Sequence, residues 1–197
     1  MLRHAGRAVP WVLVAVAAVG VAGLLALVRW RPWTLWPLEG VAVGLLAAAV
    51  GWCLDEPAAA VVDVTPRGIA WRTAARSAGV AVLLAAWATG VWFARDGLFG
   101  HPGYVLLQGG GAAAVAVAWT TWRRVGGEAT PGGRWAVVVV PLTSAWALVR
   151  PFEASAPVFP FADQGWAASA AGWVAAGLGA ATVLAVVLVR DGRGSVR

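Results

Sequence analysis

Val9-Pro-Trp-Val-Leu-Val-Ala-Val-Ala-Ala-Val-Gly-Val-Ala-Gly-Leu-Leu-Ala-Leu-Val28 is twenty consecutive residues without a charge, and its length decides how the rest of the chain is read. About 20 apolar residues are what an α-helix needs to cross a ~30 Å hydrocarbon core. Working outward, five more nearly uncharged stretches follow: Leu35 to Leu54, Ser77 to Ala94, Gly103 to Trp122, Trp135 to Val149 and Trp166 to Val189. The pattern predicts an all-α, polytopic integral membrane protein: six transmembrane helices forming one transmembrane domain over residues 1–197. Only the fifth stretch is short, at about 15 residues or ~22 Å of helix.

The cations between the stretches set an orientation. With the N-terminus cytoplasmic, the inner segments hold Arg3, Arg7, Arg67, Arg72, Arg76, Arg123, Arg124, Arg134, Arg190, Arg193 and Arg197, against Arg29, Arg31, Arg95 and Arg150 outside. Eleven against four, in short loops, predicts both termini inside by the positive-inside rule. The acids divide five to four, so the asymmetry belongs to the cations alone.

A net charge of +6 and a pI near 11.4 would point to nucleic acid in a soluble chain. Here the arginines read instead as topology determinants and headgroup contacts, and no nucleic-acid partner is expected. Trp11, Trp30, Trp33, Trp36, Trp52, Trp122, Trp135 and Trp166 stand at span ends and read as an interfacial belt. The first span follows Arg3 and Arg7 as a signal peptide would. Its apolar run is too long for one, and Val-Arg-Trp-Arg-Pro follows it in place of a small-residue cleavage site, so an uncleaved span is expected. The chain has no Lys, no Asn and one Ile, the residues of AT-rich codons, which points to a high-GC bacterial genome and a place in the bacterial plasma membrane.

Catalysis has little to work with. His4 and His101 form no i, i+4 pair for a metal, and Cys53 is the single cysteine, so neither a disulfide nor a thiolate cluster arises within the chain. The serines include no Gly-x-Ser-x-Gly elbow, and a phosphate-binding loop would need a lysine. No enzymatic activity and no cofactor are expected; any ATP would be bound by another subunit. Gly109, Gly110 and Gly111 read as residues that let helices approach closely in lipid. Glu39, about a turn into the second span in Trp-Pro-Leu-Glu-Gly, is the sharpest polar signal, either an interfacial carboxylate beside Arg29 or Arg31 or a contact to substrate or a neighbouring helix.

Two connections stand out. The inner one, residues 55–76, carries Asp55 and Glu56, then Thr65-Pro66 as a helix cap and first position, then Arg67, Trp71, Arg72 and Arg76. Arg72 and Arg76 are four apart and share a face. A short helix is expected there, either simply interfacial or a docking surface for a cytoplasmic partner. The outer one, residues 150–165, is rich in Phe and Pro, and with a short fifth span before it part of this segment is expected within the membrane, shielded by protein.

At these two connections the chain resembles six-span permease subunits of ATP-binding-cassette (ABC) transporters from high-GC Gram-positive bacteria. The resemblance lies in Asp55-Glu56-Pro57-Ala58-Ala59, Thr65-Pro66-Arg67, Trp71-Arg72, Trp166-Ala167-Ala168 with Trp173, and Val189-Arg190-Asp191. It implies a coupling helix between the second and third spans, re-entrant helices between the fifth and sixth, a separate nucleotide-binding subunit and a second permease chain. The N-terminal tail of about eight residues departs from that class, whose connecting helix is longer. The function expected is transport driven by that partner ATPase, with Trp and Phe favouring export of an amphipathic or lipid-like cargo. The competing expectation is an accessory subunit that stabilises a larger membrane complex. A secondary transporter is disfavoured, since neither an inverted repeat nor a broken-helix pair is visible.

Overall fold

The computed structural model describes residues 8–56, 68–152, 155, 157–161 and 164–194. Six helices account for most of them: α1 (Trp11–Trp30), α2 (Leu35–Cys53), α3 (Ile69–Ala94), α4 (Pro102–Val125), α5 (Pro131–Val149) and α6 (Trp166–Gly194). Short 3₁₀ turns, Pro32–Thr34 and Arg95–Gly97, make the α1–α2 and α3–α4 corners. Five helices are long and apolar enough to cross a membrane. α4 has the length, at 24 residues, but is less apolar, being interrupted by Gln108, three glycines and a Thr-Thr-Trp-Arg-Arg end.

α2 is the centre of the bundle, with 14 of its 19 residues buried. It packs mainly on α5, and also on α4 and α1; α1 packs on α3 and α4 on α6. Glycine explains the closest of these contacts. A methyl group at Gly40 or Gly44 of α2 would collide with Thr143 of α5, and one at Gly132 of α5 with the Gly51 carbonyl. Gly40 and Gly44 are a small-xxx-small pair, the spacing that lets two helix backbones meet in lipid. In α4, Gly109 accommodates the Trp87 indole of α3 and Gly111 the Trp173 side chain of α6, while Gly110 faces open space.

The helices alternate in direction. One end of the bundle gathers Ala8, the C-terminus of α2, the N-terminus of α3, the C-terminus of α4 and the N-terminus of α5, held by Arg76, Glu56, Arg124 and Asp55. This is the Arg-rich end. At the opposite end, Arg29 donates to the Phe93 carbonyl (2.6 Å), Arg150 to the Trp36 carbonyl (3.1 Å), and His101 stacks on Trp166 at 4.3 Å. Arg150 closes α5 in the left-handed region (φ +46°), unusual without glycine, and its guanidinium lies 4.6 Å from the centre of the Phe161 ring.

Two boundaries differ from the sequence reading. The fifth helix starts at Pro131 rather than Trp135 and so reaches 19 residues, ~28 Å. The physical reason is a cap supplied from another helix end: Asp55 accepts the N–H groups of Gly132 (2.6 Å) and Gly133 (3.0 Å), which no neighbour in sequence reveals. The third helix runs unbroken from Ile69, so Trp71, Arg72 and Arg76 belong to its first two turns and not to a separate short helix. The described residues of 150–165 form no helix. Within them Phe159 is buried, and the Val158 carbonyl accepts hydrogen bonds from Ser169 (2.9 Å) and Trp173 (3.1 Å) of α6.

Candidate functional site

Of the residues singled out around the inner connection, Asp55, Glu56, Arg72 and Arg76 meet at the Arg-rich end, where they turn inward. Glu56 follows α2 by three residues and is buried; its Oε2 accepts from Arg72 (3.1 Å) and Arg124 (2.9 Å) and its Oε1 from Arg76 (3.3 Å). Arg72 and Arg76 reach it together because i, i+4 spacing puts both on one face of α3. Arg76 also donates to the Ala8 carbonyl (3.3 Å), and Arg124 to the Glu128 carbonyl (3.1 Å). One carboxylate thus ties the ends of α2, α3 and α4.

Burial pushes the Glu56 carboxyl up, but the Arg124 hydrogen bond and the charges of Arg76 and Arg72 outweigh it and hold the group below its ordinary value of 4.5. Asp55 goes the other way. Its desolvation exceeds the help of the two glycine N–H groups, Arg76 and Arg124, and its carboxyl is raised. Asp191 of α6 accepts the Ile69 N–H (3.0 Å) and so caps α3 as Asp55 caps α5. Trp71 is half-buried, and Arg67, Thr65 and Pro66 lie outside the described residues.

Glu39 occupies a second place of interest, near the opposite end. It is 3 % exposed and faces the bundle, not the surroundings of Arg29 or Arg31. The polar groups that act on it are the Gln108 amide of α4 and the Arg150 guanidinium. Neither Glu39 oxygen nor any Gln108 side-chain atom has a well-aligned hydrogen bond, and the buried Trp87 Nε1 lacks one too. Glu39 and Trp87 line one small cavity with Leu25, Val28 and Val105, with room for about one water molecule. Three helices therefore contribute polar atoms to an otherwise apolar interior, which is the arrangement that marks functional positions in membrane bundles.

Gln108 and Trp87 escaped the sequence reading. The signal for Gln108 was present: it is the polar side chain just ahead of the glycine run, about two turns into an apolar stretch. Trp87 was hidden among 14 tryptophans. The interfacial belt also divides on inspection. Trp11, Trp30, Trp33, Trp52 and Trp122 are exposed, whereas Trp36 and Trp166 are buried in aromatic contacts with Phe99, Phe161 and His101, and Trp135 donates to the Ala47 carbonyl (3.1 Å). Against family models, curated proteins and solved structures, the chain matches none.

Proposed function

We propose that the chain is the membrane-spanning permease subunit of an ABC transporter, an exporter of an amphipathic or lipid-like substrate, driven by a separate ATPase. In this reading the Arg-rich end and both termini face the cytoplasm of a bacterial cell, and a second permease chain, identical or different, completes the path. The supporting observation is the course of α3. One continuous helix carries Arg72 and Arg76 at the Arg-rich end and Trp87, eleven residues or ~17 Å beyond Arg76, at the Glu39 cavity. A push on the first turns of α3 would act on both places at once. Coupling of this kind requires two arrangements of that helix, which the brace around Glu56 would exchange.

Two observations favour the accessory-subunit alternative. Arg72 and Arg76 bond to Glu56 within the chain, and the cavity at Glu39 is too small for a cargo. Affinity purification from native membranes separates the two. The proposal expects a nucleotide-binding ATPase to co-purify in fixed ratio. Recovery with other membrane proteins and no ATPase would support the accessory reading instead.

A further inference from the structure

α5 carries a proline in its interior, Pro141, between residues 131–140 and 142–149 of the same helix. A proline has no N–H, so the Val137 carbonyl loses its intrahelical donor, and the ring crowds that carbonyl as well. Two hydroxyls follow within three residues. Thr143 donates back to the Val139 carbonyl (2.8 Å) and Ser144 to the Val140 carbonyl (2.7 Å), bonding to the preceding turn that loosens and bends a helix. Three bend-promoting side chains therefore fall within positions 141–144.

The two halves of α5 are held differently. Beyond Pro141, Thr143 and Ala147 interlock with Gly40 of α2, and Arg150 donates to the Trp36 carbonyl (3.1 Å). Before it, Gly132 rests on Gly51, and the remaining ties are hydrogen bonds near the start of the helix. The Gly132 and Gly133 N–H groups donate to Asp55, the Glu56 N–H to the Ala129 carbonyl (3.5 Å), and Trp135 to the Ala47 carbonyl (3.1 Å). Among the described residues no helix covers the outer side of this half: Val137 and Val138 are exposed, and between it and α1 lies an apolar groove of about 870 Å³. Glu56 also holds Arg72, Arg76 and Arg124, so whatever pulls it off those arginines loosens α5 too.

We propose that Pro141 is a hinge and residues 55–56 its latch: with the latch released, the half of α5 over residues 131–140 pivots away from the end of α2 while the other half stays in place. The device is independent of any transport activity. The test uses the full chain in lipid nanodiscs, with Cys53→Ala and spin-label pairs read by double electron–electron resonance. Labels stand at Arg134→Cys in the pivoting half or Leu148→Cys in the fixed half, each against Leu178→Cys on α6, and all three positions are exposed. Glu128, the partner of Arg134, keeps Arg123. Position 134 is seven residues, or ~10 Å, from Pro141, so a bend of ~20° displaces it by roughly 4 Å. Asp55→Ala should add a population displaced by that amount at 134 and leave 148 unchanged, and Pro141→Ala in the same chain should remove it. Trp135→Phe, which loses only an indole N–H, should produce a smaller share of the same population, and it decides the matter if Asp55→Ala does not fold. Equal displacement at 134 and 148 would mean that α5 moves as a rigid body, and displacement that survives Pro141→Ala would put the hinge elsewhere. Either result would overturn the proposal, as would an unchanged distribution at 134 in every latch variant that folds.

Discussion

Replacing Glu56 with alanine should destabilise the bundle by about 3–5 kcal/mol, the usual penalty for breaking a buried ion pair and leaving its partner unpaired. Here three guanidinium groups, each with a side chain no more than 11 % exposed, lose their common carboxylate. Arg72→Ala should do less, because Glu56 keeps Arg76 and Arg124. Thermal unfolding in detergent micelles measures both, and a Glu56→Ala protein as stable as wild type would remove the brace from the account. The pH dependence has a definite sign. With its folded pKa held below 4.5, Glu56 contributes stability that is complete above about pH 4.5 and is lost as pH falls through the folded value. Asp55, raised in the folded state, contributes in the opposite sense. The Glu56→Ala variant should therefore lose less stability than wild type on acidification.

The second large effect is expected at Gly40. A single methyl group there would strike the Thr143 carbonyl and the Ala147 side chain of α5, so Gly40→Ala should cost about 1–3 kcal/mol through overpacking. Gly110→Ala is the control. Its methyl meets nothing within 4 Å, and a helix interior favours Ala over Gly, so that variant should match or exceed wild type by about 0.5–1 kcal/mol. An equal gain at the two positions would mean that helix propensity, not the α2–α5 approach, governs the response.

These two cases show what the sequence disclosed and what it withheld. Helix number and type were legible from apolar run length, since each span must satisfy its own backbone hydrogen bonds. The start of α5 was not, because its cap, Asp55, comes from 77 residues earlier in the chain. Arg72 and Arg76 share one helix face by their i, i+4 spacing, but periodicity does not name the carboxylate, Glu56, that both of them reach. Gly40 and Gly44 carry a small-xxx-small spacing, but the sequence does not say that the face they form meets Thr143 of α5. Glu39 is legible as the acid at span depth; that it faces the bundle is not, because its burial depends on the other helices packed around it.

The claim that α3 links the Arg-rich end to the Glu39 cavity is tested most directly by its motion in the complex recovered from native membranes. Spin labels at Ser77→Cys on α3 and Val189→Cys on α6, both exposed positions, with the buried Cys53 replaced by alanine, report that motion through double electron–electron resonance. The account predicts one distance distribution without nucleotide, a displaced one with ATP bound, and a return to the first after hydrolysis. Identical distributions in all three states would contradict it and leave the chain a static membrane scaffold.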